Sequence, residues 1–157
     1  MNYEIVQEEY GWSPEKYAEL EPLYRQHYGE MLERLKRDGV ENYSPYNPRL
    51  DQYQIASKGG WLLTFVVRLE GKAVGYCNVY LTNDMHNHDL IAQEDTIYIL
   101  PEHRNGIGKK LVRHVLEDLR GRGVKRVLVS AMTDLRVAKM WKRMGFQELA
   151  TQMIYKF

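Results

Sequence analysis

The sequence predicts a single α/β domain in which a mixed sheet carries helices on both faces. Two apolar runs joined by a turn at residues 70–72 indicate a pair of antiparallel strands. An amphipathic helix opens at Gly106, and the apolar run Val127–Val129 that follows it is typical of a buried parallel strand. A chain of 157 residues is long enough for one such domain and its core.

The first part of the chain predicts an edge strand and then helix. Residues 3–8 alternate well enough for an edge strand. Ser13 and Pro14 are a suitable N-cap and first helical residue, and apolar side chains then recur at three- and four-residue intervals. Because Pro22 and Gly29 interrupt this pattern, we expect two helices or one bent helix.

The middle of the chain predicts a short helix and three strands. Asn47-Pro48 is expected to start a helix that reaches Ala56. Residues 61–67 and 73–81 are the strands joined by the turn, and Leu90–Leu100 is the next strand. The last third predicts elements that are listed here in order: helix Gly106–Arg120, a strand over 124–130, helix Asp134–Met144 and a final strand that starts at Phe146.

Composition narrows the classes of function. The net charge of +1 gives no electrostatic case for nucleic-acid binding. No apolar run approaches the roughly 20 residues that span a bilayer, and the N-terminus lacks the form of a signal peptide, so we expect no membrane partner. Cys77 is the only cysteine and lies in an apolar strand, which favours a buried, inert thiol and a cytoplasmic protein.

Tyrosine is unusually abundant, with 12 residues against three phenylalanines. Eight of the tyrosines fall within the first 53 residues. A ring with a polar end suits a half-wet groove, but it also suits an amphipathic surface, which is the interpretation we favour.

Residues 97–111 are the most informative stretch. A β-type run ends at Pro101, and Gly106 and Gly108 then open a helix. The first N–H groups of a helix have no internal partner and lie at the positive end of its dipole, and glycine lets a phosphate approach closely. Arg104, Lys109 and Lys110 add positive charge, so the turn predicts a site for a phosphorylated cofactor.

Two phosphate-binding patterns do not match this turn. A P-loop requires Ser or Thr after Gly-Lys, where this chain has Lys110, and a first glycine where it has His103. A dinucleotide fingerprint requires a third Gly or Ala, where Leu111 stands.

A third pattern matches better. Residues 103–108, His-Arg-Asn-Gly-Ile-Gly, resemble the acyl-CoA turn of the GNAT acetyltransferase superfamily, Arg/Gln-x-x-Gly-x-Gly/Ala, although the turn after Pro101 is one residue shorter than usual. The section from Asp134 to Phe146 resembles the closing helix and Gly-Phe pair of that family. Residues 88–104 are particularly similar to GNAT proteins of bacteriophages and prophages.

The resemblance implies a GNAT-like fold, with a mixed, mostly antiparallel sheet of six to seven strands and a splay between two central parallel strands near Ile97 and Val129. It implies one domain over 1–157, in which residues 1–58 contribute the acceptor side and 60–157 the acetyl-CoA-binding core. The implied activity is acetyl transfer from acetyl-CoA to an amine, with coenzyme A as product. A non-catalytic acyl-CoA-binding or interaction module is the alternative.

The resemblance also assigns cofactor contacts. Amides 105–109 would hold the pyrophosphate, with Arg104 and Lys109 as countercharges, and either His103 or Arg104 fills the Arg/Gln position. The pantetheine arm would pair with the backbone of 97–99. The cofactor-binding set that we predict is Ile97, Tyr98, Ile99, His103, Arg104, Asn105, Gly106, Ile107, Gly108, Lys109 and Trp141.

Two carboxylates are candidates for the catalytic base. Asp95 and Glu94 precede the cofactor-pairing segment, and alternation along a strand allows only one of them to face the acyl site. Asp95 is favoured because it shares the parity of Ile97 and Ile99, although either carboxylate could equally serve an ion pair. Trp141 occupies the position where the family often has an acidic tyrosine, and an indole cannot serve as that acid. Coenzyme A thiolate is a good leaving group, so water would suffice to protonate it, and Tyr98 and Tyr155 are the substitutes.

Other features predict less. Asp84, His86, His88 and Asp89 lack a spacing that fixes a third ligand, so no metal site is predicted. The amine acceptor is not identifiable. Homodimers are common among resembling proteins, but no segment of this sequence requires one.

Overall fold

A computed structural model describes residues 2–8, 13–131 and 134–157. The strands are β1 (Tyr3–Glu8), β2 (Leu62–Leu69), β3 (Lys72–Asn83), β4 (Leu90–Ile99) and β5 (Arg126–Leu128). The helices are α1 (Pro14–Arg37), α2 (Leu50–Lys58), α3 (Ile107–Gly121) and α4 (Leu135–Arg143), with a short 3₁₀ turn at Pro101–His103.

The strands form one mixed sheet in the order β1-β2-β3-β4-β5. The first three pairings are antiparallel and the β4–β5 pairing is parallel. The predicted turn between β2 and β3 is confirmed. Glu70 and Gly71 both have positive φ, at 51° and 79°, as a two-residue hairpin turn of type I′ requires.

Two groups of buried side chains attach helices to the two faces of the sheet, as predicted. On one face, Ile107, Leu111 and Leu119 of α3 pack against residues such as Phe65 and Val79. We call this the α3 face. On the other, which we call the α1 face, buried residues of α1 pack against the sheet; they are Leu20, Leu23 and Tyr24, which meet Val66, Ala73, Tyr76 and Tyr98.

Helix α1 is continuous over 24 residues, so of the two alternatives the pair of separate helices is wrong and a single helix is present. Ser13 caps the helix as predicted, because its side chain accepts a hydrogen bond from the Lys16 N–H. A proline inside a helix costs about 3 kcal/mol, whereas each fully buried leucine stabilises by about 2 kcal/mol. The apolar contacts of Leu20 and Leu23 therefore outweigh the lost hydrogen bond.

The sheet has five strands rather than the six to seven expected. Residues 146–157 form no strand, and Leu149, Met153 and Tyr155 are exposed there. The reason lies in β5, whose three residues form too short a ladder to fix a following strand. As a consequence, the parallel pair β4–β5 lies at the edge of the described sheet and not at its centre.

No helix among the described residues is long and apolar enough to cross a membrane.

Candidate active site

β4 and β5 separate partway along β4. Their pairing runs from Ile91↔Arg126 to Gln93↔Leu128, while β4 continues beside β3 as far as Ile99. In the described part of the chain, the edge of β4 that faces β5 therefore has no ladder partner beyond Gln93. The predicted splay near Val129 is present. Trp141 lies beside it, and its indole donates a hydrogen bond to the Ser130 carbonyl over 3.1 Å.

The N-terminus of α3 lies just after the open end of β4. Gly106 is its N-cap, with φ 102°, and no side chain caps the helix. In contrast, Ser13 caps α1 and Asp134 caps α4. A side-chain carbon added to Gly106 would meet no atom within 4 Å, so the space beside the turn is open. Free N–H groups, a helix dipole and open space together form an anion-binding arrangement.

The two residues that compete for the Arg/Gln position both contact other parts of the protein. Arg104 Nε donates to the Ile99 carbonyl over 2.7 Å, and its Nη2 pairs with Glu30 of α1 at 2.9 Å. His103 Nδ1 lies 3.0 Å from the Tyr3 hydroxyl. Each residue therefore ties the turn to an N-terminal element, while Lys109 and Lys110 are exposed in the first turn of α3.

A β-bulge separates the two candidate bases. Val79 pairs with Glu94 and Asn78 pairs with Thr96, so Asp95 is an extra residue in β4. The bulge resets the alternation of side chains. Ile97 and Ile99 pack on the α3 face, whereas the Asp95 carboxylate accepts a hydrogen bond from Tyr53 of α2. The expectation that Asp95 shares their face is therefore wrong.

Asp95 is half-buried on the α1 face of the sheet. The Tyr53 hydroxyl lies 3.0 Å from its Oδ2. Burial raises the pKa of the Asp95 carboxyl, although hydrogen bonds from Tyr53 and Thr96 oppose that shift. A carboxylate with a raised pKa next to a cavity is a reasonable proton acceptor.

Glu94 lies on the α3 face, inside the splay. It lines a narrow apolar crevice with Cys77, Val112 and Trp141. Burial raises the pKa of the Glu94 carboxyl to about 7, although a hydrogen bond from the Ser130 backbone lowers it. Its Oε2 is buried without a hydrogen-bond partner among the described residues. Cys77 is buried as predicted, and burial raises the pKa of its thiol well above the usual value.

A cavity of about 630 Å³ lies on the α1 face, between α1, α2, the 44–49 loop and the sheet. Its aromatic lining residues are Tyr24, Tyr28, Tyr46, Tyr53, Tyr76 and Tyr80. Four of these six belong to the tyrosine-rich first 53 residues, and for these four the groove interpretation is correct. Tyr3, Tyr17 and Tyr43 do not line the cavity, and Tyr10 lies outside the described residues. Tyr53 is both a wall of this cavity and the hydrogen-bond donor to Asp95.

The remaining candidates lie elsewhere. The Tyr98 hydroxyl donates to Glu30 over 2.6 Å on the α1 face, and Tyr155 is exposed in the C-terminal segment. Asp84 and Asp89 both pair with Arg126. Within the described ranges, no group of three His, Cys, Asp or Glu side chains is arranged to hold a metal ion.

Several solved structures resemble this chain over nearly its whole length. An aminoglycoside acetyltransferase from an uncultured soil metagenomic sample has a TM-score of 0.74 at 17% identity, covering 100% of this chain and 99% of its own. Ribosomal-protein-alanine N-acetyltransferase from Brucella melitensis biovar Abortus 2308 has a TM-score of 0.70 at 14% identity, covering 99% and 100%. Glucosamine-6-phosphate N-acetyltransferase from Arabidopsis thaliana has a TM-score of 0.66 at 16% identity, covering 100% and 99%.

These identities are low, and the likeness establishes the fold alone. A comparison of the sequence with curated proteins gives no match. The model of the Acetyltransferase (GNAT) family matches residues 20–146, which is most of the chain and includes the splay, the α3 turn and Asp95. By sequence and by fold, the chain belongs to the GNAT acetyltransferase family.

Proposed function

We propose that this protein is an N-acetyltransferase that moves the acetyl group of acetyl-CoA to a primary amine by direct attack in a ternary complex. One observation carries the proposal. The open edge of β4 leads to the uncapped N-terminus of α3, and the bulge in the same strand directs Asp95 to the opposite face, beside the aromatic cavity.

The donor would bind along one continuous surface. Amides 106–109 would hold the pyrophosphate, since the Asn105 N–H already donates to the His103 carbonyl over 2.9 Å, and Lys109 would add a countercharge. Arg104 would add a second positive charge beside the pyrophosphate, although its guanidinium also pairs with Glu30. The edge of residues 97–99 that faces away from β3 would hydrogen-bond the pantetheine arm as an added strand does, with the Ile99 carbonyl shared with Arg104. A backbone N–H in the splay would stabilise the oxyanion that develops on the thioester.

Asp95 would act on the acceptor. An amine of pKa ~10.4 is only about 0.04% neutral at pH 7, so a proton acceptor is needed. The amine nitrogen forms a bond to the acetyl carbon, the carbon–sulfur bond breaks, and coenzyme A leaves as a thiolate. The ammonium gives one proton to Asp95, directly or through water, before the attack, and the nitrogen loses a second proton to water as the amide forms. Trp141 cannot protonate the thiolate, so water does so.

Glu94 is the weaker candidate for this role. Its carboxyl group lies on the α3 face, in the crevice where the donor would bind, and not in the aromatic cavity. A base must reach the attacking amine, and Asp95, although it is not itself a lining residue, is hydrogen-bonded to Tyr53 in the wall of that cavity.

Titration calorimetry with acetyl-CoA tests donor binding. We expect binding by the natural protein and a loss of at least tenfold in affinity for Gly108→Glu, because the new carboxylate would repel the diphosphate. The site tolerates a side chain sterically, since a carbon added to Gly108 would meet only the Met140 sulfur, at 4.0 Å. Gly121→Glu at the other end of α3 is the matched control. Failure of the natural protein to bind acetyl-CoA would refute the proposal.

A non-catalytic acyl-CoA-binding module is the second candidate. It is favoured by Trp141, whose only donor is already bonded to the Ser130 carbonyl. This candidate predicts that acetyl-CoA binds but that no amine in a broad panel is acetylated.

A further inference from the structure

We infer that the acceptor is an amine with a single positive charge on an aromatic body, of the arylalkylamine class, and not a polycationic amine. This inference rests on the proposed function and assigns the 630 Å³ cavity to the acceptor. It follows from the walls of the cavity, from its charge and from the end at which Asp95 is found.

Six tyrosines contribute to the walls of the cavity. Tyr24 and Tyr76 pack edge to face, with ring centroids 4.6 Å apart, and the ring centroids of Tyr28 in α1 and Tyr46 in the 44–49 loop lie 5.7 Å apart. Tyr28 is fixed by its hydroxyl, which donates to the Ser44 carbonyl over 2.6 Å. Rings held in place in this way offer faces and edges for packing against a flat apolar body.

The cavity contains little charge for binding several cations. Among the described lining residues there is no carboxylate, and the one formally charged side chain is Arg49. Arg49 is positive and largely exposed, and it lies 3.8 Å from Asp51. His27 has a pKa lowered to about 4, first by burial and then by Arg34, so it is neutral at pH 7. A polycation would lose water here and would find at most one opposite charge, that of Asp95.

One end of the cavity differs from the rest. There, Tyr53 contacts Asp95, and the floor carries Asn78 and Thr96, whose side chains form a hydrogen-bonded row with Thr64. A single ammonium group would lie at this end, near the Asp95 carboxylate that Tyr53 holds just outside the lining, and beneath the bulge of β4. The aromatic body would extend from it toward Tyr28 and Tyr46.

The test is calorimetric binding of three amines to the protein saturated with coenzyme A. The probes are tryptamine, spermidine and kanamycin. We expect tryptamine to bind at least tenfold more tightly than either polycation. A preference for spermidine or kanamycin, or no binding of tryptamine at all, would overturn the inference. Acetyl-CoA binding, measured separately, distinguishes this failure from failure of the proposed function.

Two pairs of variants sharpen the test. Tyr28→Ala removes a ring and should weaken tryptamine binding at least tenfold, whereas Tyr28→Phe keeps the ring and should lose clearly less. Gln52→Glu adds a carboxylate to the lining and should strengthen spermidine binding at least fivefold, whereas Gln54→Glu adds it to α2 outside the lining. Unchanged acetyl-CoA affinity shows that each variant is folded. The inference would be contradicted if the two variants of either pair changed amine binding equally.

Discussion

Asp95 lies on the cavity side of the sheet because β4 contains one residue more than β3 opposite it. Asn78 pairs with Thr96 and Val79 pairs with Glu94, which leaves Asp95 between two ladder positions. Tyr53 then holds the carboxylate from α2 over 3.0 Å. The bulge thus places two adjacent acidic residues on opposite faces, with different surroundings and different expected roles.

Asp95→Asn tests the role of that carboxylate. The amide keeps the size of the side chain but cannot accept a proton, so we expect kcat to fall by about 10²- to 10⁴-fold. Acetyl-CoA affinity should stay within about twofold of the natural value. Because the carboxyl pKa is raised, kcat/KM should increase with pH through a value above the usual pKa of Asp. Asp118→Asn, at the far end of α3, is the control. If the Asp95→Asn variant kept its activity, another group would have to be the proton acceptor.

Glu94 predicts a pH dependence of stability. Its pKa is about 7 in the folded protein and 4.5 as the ordinary value, so the folded state binds more protons between these pH values. The free energy of unfolding contributed by Glu94 therefore decreases as pH rises from about 4.5 to 7. Glu94→Gln should remove this decrease and be more stable than the natural protein at pH 8. Urea denaturation at several pH values measures it.

His27 changes the free energy of unfolding with pH in the opposite direction, so its effect must be separated from that of Glu94. Its pKa is lowered from 6.5 to about 4 by burial, so the unfolded state binds more protons in that range. Stability from His27 therefore increases as pH rises from about 4 to 6.5. In the Glu94→Gln variant, this increase of stability with pH should remain. If the variant and the natural protein had identical pH profiles, Glu94 would not be buried as described.

At the level of elements, sequence patterns correctly predicted the features that depend only on neighbouring residues. Ser13 as a cap, the turn at 70–72 and the glycine-rich start of α3 all follow from residues within a few positions of each other. The bulge at Asp95 was not predictable in this way, because it depends on the pairing of β4 with β3. The final strand from Phe146 was also wrong, because it required a longer β5 as its partner.

The continuity of α1 gives a test of how packing overrides propensity. Pro22 is exposed within the helix and removes one backbone hydrogen bond. Pro22→Ala should restore that bond and stabilise the protein by about 1–2 kcal/mol, since part of the ~3 kcal/mol helix penalty is offset by greater chain entropy in the unfolded state. Gly29→Ala, in open space on the same helix, should gain about 0.5–1 kcal/mol. Thermal denaturation measures both. A loss of stability in Pro22→Ala would contradict this description of α1.

At the scale of the whole molecule, one strand organises the site. β4 has an open edge toward the splay, continues into the turn before α3, and carries the bulge that faces the cavity. Contacts from the N-terminal region support the same strand, because Glu30 of α1 holds both Tyr98 and Arg104. The proposed donor side follows from the family motif in the sequence. The cavity that we propose for the acceptor required the fold, since its tyrosines come from α1, α2, a loop and β3.

The central claim is that the open edge of β4 and the uncapped start of α3 together bind acetyl-CoA. Amide chemical shifts recorded during titration with acetyl-CoA test it most directly, because each backbone N–H reports separately. We predict that the largest shifts occur at residues 97–99 and 106–109. Shifts that are absent there, or that are concentrated in another part of the molecule, would contradict the claim.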